Sequence, residues 1–378
     1  MVITMTTTGP VMPPAPEALP SMSRPAGLPA VLLAASVAVA LLAGPLPAQA
    51  VRLPPMRPAK LSVTTIDKVA YYSLADLAKH LELKATWSSD RKAYTLAGKG
   101  PKLVFNLEGD GRKLFIDGLW VHLGDKVVTR GSNAFLSVTD YERTLRGILN
   151  PLEAGTLPPV PQVIVLDPGH GEWDPGFTGN DLTEKVLTLD VAKRVQRLLE
   201  GKGYRAVLTR TEDKALAPDK ARDLGARSAM ATTVGADLFV SVHFNSLSPN
   251  EAPSGTEVYA FTPAGQRSTS SWSSPEDDTD PKAEPVNRHD PWSALLAHNL
   301  QQQLVSSLKT RDRGQKTSHL GVLRKLDCPG VLIESAFLSN PAEARKVATP
   351  EFRDQIAAAI VAGIESYAKG IKALRAAQ

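Results

Sequence analysis

The sequence predicts an α/β protein: a mainly parallel, layered sheet with helices on both faces, preceded by a small α+β domain. Three observations predict this. Unbroken apolar runs such as V-I-V-L (163–166) suit strands buried on both faces. Segments of helical period alternate with those runs from residue 158 to 378. Between Leu61 and Asn150 the segments are instead short and often alternating, as in a small antiparallel unit. Over 378 residues, 43% hydrophobic and 22% charged side chains exclude a fully disordered chain, a collagen and a polytopic membrane protein. The net charge of +4 argues for no nucleic-acid partner, although it permits an anionic polymer. Cys328 is the only cysteine, so no intrachain disulfide can form and a Cys-rich metal site is excluded.

Residues 1–50 read as a signal peptide. Arg24 precedes an uncharged run, Gly27–Ala43, and the small residues Ala48 and Ala50 form an A-x-A exit. Met22 would start a more compact signal. The other reading, an uncleaved anchor, has only 17 apolar residues, many of them Ala, to span a bilayer. Cleavage after Ala50 gives a periplasmic or extracellular chain that keeps no membrane segment, and with no Cys at the exit a lipoprotein is disfavoured.

Domain expectations follow in order. Residues 51–157 comprise a Pro-rich linker (51–60), the small α+β domain and a second linker, L-E-A-G-T-L-P-P-V-P (152–161), whose end overlaps the next domain. L-S-V-T-T-I alternates as a strand. Tyr72–Leu83 places Leu74, Leu77, Ala78 and Leu81 on one helical face behind the cap Ser73. A-T-W-S-S-D-R-K-A-Y-T-L reads as a hairpin turning at Ser89-Asp90. Three further strands follow, then a helix over Leu136–Leu149. This stretch resembles the copper amine oxidase N-terminal-like domain of exported bacterial enzymes, on Y-S-L-A-D-L-A-K-H-L and the hairpin motif. The family name implies no copper, and His80 and His122 read as ordinary surface or packed residues.

In the domain from 158 to 378, V-I-V-L, Arg205–Thr209, D-L-F-V-S-V (237–242) and G-V-L-I-E (330–334) are the strands. Leu182–Leu199, Asp219–Thr233 and Phe352–Leu374 are the helices. Residues 262–292, rich in Ser, Pro, Asp and Glu, interrupt this pattern as an inserted loop. Such loops serve as lids or regulatory elements, or as plain surface.

Four polar residues flank the buried strands: His170 after V-I-V-L-D-P-G, Glu184 at a helix start, His243 after D-L-F-V-S-V and Glu334 after G-V-L-I. The carboxyl ends of strands in open α/β sheets form the ligand crevice. Two imidazoles and one carboxylate with an open fourth position make a hydrolytic zinc set. A further carboxylate must then move the proton, and Glu334 is the candidate. Each residue alone has another reading. A histidine at a strand end is commonly a hydrogen-bonded rim group, and Glu184 beside Lys185 suits a carboxylate at a positive helix start.

Longer motifs carry a second resemblance. They are L-D-P-G-H-G-E-W-D-P-G-F-T-G, L-T-E-K-V-L-T-L-D-V-A, L-T-R-T-E-D, D-L-F-V-S-V-H-F-N-S with G-T-E-V-Y, and V-L-R-K-L-D-C-P-G-V-L-I-E-S-A-F-L-S-N-P-A-E. In this order they resemble the zinc-dependent N-acetylmuramoyl-L-alanine amidases, cell-wall hydrolases of the amidase-3 type. The resemblance implies zinc on His170, Glu184 and His243, with Glu334 as the catalytic carboxylate. It implies hydrolysis of the amide between the lactyl group of N-acetylmuramic acid and L-alanine in peptidoglycan. Glu172 stands where the family commonly has Gly, and Ser335-Ala336 where it has Thr-Gly; neither change removes a ligand.

Asp167 is read as a ligand-orienting or turn-shaping residue, Asn245 as a rim residue, and Arg313-Gly314 as a family pair with a positioning role at most. His289, His298 and His319 are read as non-ligands. Related enzymes can carry an inserted segment that occludes zinc until a partner moves it, so an activator protein acting on 262–292 is a further expectation. The competing readings are an inactive, amidase-like wall-binding protein and a zinc peptidase acting on wall peptides.

Overall fold

A computed structural model describes residues 61–247, 249–269 and 282–378. The expected signal peptide and first linker, residues 1–60, lie outside the described residues. So do residues 270–281, the centre of the segment expected to be a lid or the target of an activator. No helix among the described residues is long and apolar enough to cross a membrane.

The N-terminal part is built from short strands. Strands β1 (Val63–Ile66), β2 (Val69–Ser73), β8 (Val128–Arg130) and β9 (Asn133–Ser137) form a four-stranded sheet. Helix α1 (Leu74–His80) starts where the Ser73 hydroxyl accepts from the Asp76 amide, and it buries Leu74, Leu77 and Ala78. The remaining strands form a meander: β3 (Leu83–Trp87), β4 (Ala93–Gly98), β5 (Leu103–Asn106), β6 (Lys113–Ile116) and β7 (Leu119–His122). Their alternation buries Leu96, Leu103, Phe105, Leu114, Ile116 and Val121 on one face.

The helix expected over Leu136–Leu149 begins later. Leu136 lies in β9, where it pairs with Tyr72, and the chain then enters a π-helical stretch, Asp140–Leu145, continuing as α2 (Arg146–Leu149). Burial of Leu136 in the sheet outweighs its place in the helical pattern.

The C-terminal part is layered. Its strands are β10 (Val163–Pro168), the two-residue β11 (Thr178–Gly179) and β12 (Leu182–Thr183), β13 (Arg205–Leu208), β14 (Leu238–Asn245), β15 (Thr256–Phe261), β16 (Asp312–Ser318) and β17 (Gly330–Phe337). Its helices are α3 (Glu184–Glu200), α4 (Lys220–Val234), α5 (Asp290–Leu308), α6 (Pro341–Val347) and α7 (Pro350–Ala376). One sheet runs β13-β10-β14-β17-β15-β16-β7-β6-β5-β4-β3. The first four strands are parallel neighbours, β15 is antiparallel to β17, and β16 is parallel to β15. The sheet is therefore mixed as a whole and mainly parallel in its C-terminal half, with helices on both faces, as the fold class requires.

Successive residues of the buried strands point to opposite cores. Leu166, Val240 and Ile333 join α3, α5 and α7 through Leu187, Leu296 and Ile360. Val165, Phe239 and Leu332 join Ala231 of α4 and the 322–328 loop. This two-sided burial explains the unbroken apolar runs.

At the edge of β16 the sheet passes into the N-terminal meander, with Gln315 opposite Val121 of β7. Gly147 lies so close to α5 that a Cβ there would stand 2.0 Å from the Pro291 oxygen. Helix α5 and strands β15 and β16 were not anticipated from sequence. The described ends of 262–292 are also ordered: Gln266 and Ser268 are buried, and Glu284 and Asn287 form a capping box ahead of a 3-10 turn over Pro285–His289.

Candidate metal centre

The strand ends bring the four sequence-predicted groups together. His243 lies near the C-terminal end of β14, opposite Glu334 of β17 in the ladder, and the register slips just beyond it. Glu184 is the first residue of α3. His170 lies in the loop after β10 with φ +64°, a left-handed conformation held by its surroundings. Arg210 donates to the Pro168 and Gly169 oxygens at 3.0 and 2.9 Å, and Arg227 to the Pro168 and His170 oxygens at 2.8 and 2.7 Å. Gly169 has no substitute, because a Cβ there would stand 2.1 Å from His243 Cε1.

Glu184 Oε1 lies 3.0 Å from His170 Nε2 and 3.0 Å from His243 Nδ1. One candidate ligand atom from each of the three residues falls within 4.8 Å of the others, and this is the cluster of that kind among the described residues. The Glu184 carboxyl is buried, yet the two imidazoles hold it well below the usual carboxylate range against the cost of burial. Burial pushes His243 down, so its ring is held neutral, as a ligand must be. His170 is also resisted by burial, but Glu184 and Asp174 together push it up. Its Nδ1 lies 3.0 Å from Asp174 Oδ2. A carboxylate behind the non-ligating nitrogen is the usual support of a metal-bound histidine, fixing its tautomer and ring plane. The donor set is therefore suited to zinc: two ring nitrogens and one carboxylate, one ring backed by a second acid.

Glu334 is half-buried, and its Oε2 is shielded from solvent without a hydrogen-bond partner. Burial first, then the nearby Glu184 and Glu257 carboxyls, push it well above the usual carboxylate range, while Lys316 opposes them. Across the next ladder rung stands Glu257. Its carboxylate receives Asn245 Nδ2 and Lys316 Nζ, the Tyr259 hydroxyl at 3.1 Å and Arg313 Nε at 3.2 Å.

Residues 164–366 match the N-acetylmuramoyl-L-alanine amidase family model. The chain belongs to this family. It is 35% identical to the N-acetylmuramoyl-L-alanine amidase LytC of Bacillus subtilis over 56% of this chain and 36% of that protein. It is 31% identical to the germination-specific N-acetylmuramoyl-L-alanine amidase of the same organism, over 56% of this chain and 82% of the relative. An amidase crystal structure from Clostridium difficile 630 aligns with 29% identity and a TM-score of 0.44, covering 55% of this chain and 97% of the other. The chain thus spans about a third of LytC and most of the shorter amidase.

The family's motifs map onto the site in two layers. Asp167 is buried and accepts from Thr209 Oγ1, Ser241 Oγ and Arg227 Nη1 at 2.6, 2.7 and 2.9 Å. It anchors the start of the His170 loop and is no part of the cluster. Asn245 does not face an open rim; it is buried and turned to Glu257. Sequence reasoning missed Asp174, although its place four residues after His170 was a signal. It also missed the arginines behind the loop, Arg210 and Arg227, and the Glu257–Lys316 pair, which only sheet register reveals. His289, His298 and His319 lie outside the cluster. His122 packs at the junction of β7 and β16, with its ring 4.2 Å from that of Trp120 and Nε2 3.2 Å from the Arg313 oxygen.

Proposed function

We propose that the protein is an N-acetylmuramoyl-L-alanine amidase that hydrolyses the amide between the lactyl group of N-acetylmuramic acid and L-alanine in peptidoglycan. The observation that carries this reading is the convergence of His170 and His243 nitrogens on one Glu184 oxygen, with the unpartnered Glu334 acid on the adjoining strand. Family membership and the amidase names of its relatives support the substrate.

His170, Glu184 and His243 would hold zinc. Bound there, zinc supplies Lewis acidity to the scissile carbonyl and acidity to a water. The remaining work belongs to this chain's own groups. Asp174 holds the His170 ring in one tautomer. Arg210 and Arg227 hold the carbonyls of the loop, so the imidazole is aimed before substrate arrives. Glu334 takes the proton of the attacking water and returns it to the departing L-alanine nitrogen. Burial and the nearby Glu184 and Glu257 carboxyls push its pKa up, which makes the carboxylate a stronger base toward that water. The apolar run ahead of Ala50 supports export, so the enzyme would act at the wall.

The test uses residues 51–378 loaded with zinc and incubated with purified peptidoglycan, with products identified by mass spectrometry. Intact stem peptides beginning at L-alanine are the expected release. Cleavage within the peptides instead identifies a peptidase, and wall binding without release identifies an inactive binding protein.

A further inference from the structure

The family motifs give Arg313 no chemical role, yet its surroundings are those of a fixed recognition group. We infer that Arg313 recognises a carboxylate on the peptide side of the scissile amide and so sets specificity for an acidic stem peptide. This rests on the amidase reading above and extends it to the leaving group.

The first argument is rigidity. Arg313 Nε donates to Glu257 Oε2 at 3.2 Å, and the guanidinium carbon lies 4.7 Å from the centre of the Phe337 ring. These contacts occupy one edge and one face of the fork. Among the described residues neither terminal nitrogen has a partner, and the side chain is 24% exposed. The backbone is fixed as well. Gly314 has φ +91°, and a Cβ there would meet His122 Cδ2 at 2.8 Å. The Arg313 oxygen lies 3.2 Å from His122 Nε2, and the Gly314 amide donates to Asp312 Oδ1 at 2.8 Å. Asp312 Oδ2 in turn accepts from the Trp120 amide at 2.7 Å. The N-terminal meander therefore braces the start of β16, which carries Arg313.

The second argument is charge. Glu257 is buried between two cations, Lys316 and Arg313. Lys316 is 5% exposed in its side chain and neutralises Glu257, which leaves the more exposed guanidinium as a surplus positive charge. A guanidinium with its terminal edge free is shaped for a carboxylate.

The third argument is direction. Glu334 must reach the departing nitrogen, and the stem peptide is attached to that nitrogen. The peptide therefore begins on the Glu334 side of the site. Glu257 lies directly across the ladder from Glu334, and Arg313 is held by Glu257. A carboxylate one residue beyond L-alanine would meet this cation.

The test compares two substrates, N-acetylmuramoyl-L-alanyl-D-glutamyl peptides with the glutamyl α-carboxyl free or amidated. The readout is the ratio of their kcat/KM values, measured on zinc-loaded wild type, Arg313→Met and Arg313→Lys of matched zinc content. The wild-type ratio is expected to favour the free acid by roughly 10- to 100-fold, as for a charge-assisted pair, chiefly through KM. Arg313→Met should bring it near 1, and Arg313→Lys to a value between. Calorimetric binding of the released L-alanyl-D-glutamyl peptide should weaken in the same order. A wild-type ratio near 1, or one unchanged in Arg313→Met whatever its absolute activity, overturns the inference. A wild type that cleaves neither substrate at the lactyl amide overturns the amidase reading, and the peptide-binding series still decides the role of Arg313.

Discussion

Glu257 stands directly opposite Glu334 across the antiparallel ladder between β15 and β17. Glu257 is saturated by four donors, whereas Glu334 Oε2 has none. The same sheet thus holds one carboxyl as a structural anion and leaves its neighbour unsaturated, with its pKa pushed up by burial and the nearby carboxyls.

Glu334→Gln keeps the shape and removes the proton transfer. Turnover on peptidoglycan should fall by roughly 10³-fold or more, while zinc content stays at that of wild type. Because the glutamine cannot ionise beside Glu184 and Glu257, the Tm should not fall. Turnover near wild type in this variant would refute the role given to Glu334.

Metal affinity should separate ligands from their supports. His243→Ala should lose zinc after dialysis, read by metal analysis. Asp174→Asn should retain the fold but bind zinc roughly 10- to 100-fold more weakly, because it removes the carboxylate behind His170. Equal zinc affinity in Asp174→Asn and wild type would remove Asp174 from the site.

Acid should loosen the seam between the meander and the C-terminal sheet. Burial pushes His122 down to about 3 from an ordinary value of 6.5, with Lys316, Arg112 and Lys113 adding to it and the Arg313 carbonyl opposing. Burial likewise pushes His298 of α5 down to about 4, against Asp117 and Gln315. Both rings are neutral in the folded state and gain protons first when unfolded. Their stabilising contribution is full above pH 6.5 and is lost as pH falls toward 4, at up to about 1.4 kcal/mol per pH unit for each group. The buried Asp290, pushed up to about 7, works in the opposite sense. Urea midpoints from pH 7 to pH 4 should therefore fall less steeply in His122→Phe and in His298→Leu than in wild type. Parallel curves would refute the assignment.

Two glycines should respond oppositely to alanine. Gly147→Ala places a methyl 2.0 Å from the Pro291 oxygen and should cost about 2 kcal/mol or more in urea unfolding. Gly370→Ala, within α7 and with nothing within 4 Å of the new Cβ, should raise stability by about 0.5–1 kcal/mol. A neutral Gly147→Ala would mean that the packing of α2 on α5 can readily yield.

Local chemistry in the sequence determined much of this protein. Val163–Leu166, Leu238–Val242 and Gly330–Ile333 suit strands covered on both sides, because their short, largely apolar runs show no regular polar alternation. Ser73 marked a helix start by its capping side chain. His170, Glu184, His243 and Glu334 were legible because strand ends and a helix start place such groups on one rim. Tertiary structure alone decided what lies behind them. Leu136 is strand and not helix because it pairs with Tyr72, a residue 64 positions earlier. Asp174, Arg227 and Glu257 acquire roles only when the loop, α4 and β15 come within hydrogen-bond reach of the site. Arg313 is braced by Trp120 and His122, almost 200 residues away. Sequence periodicity reports whether a side chain faces core or water, but ladder register and charge pairing are relations between distant segments, and only the folded chain fixes them.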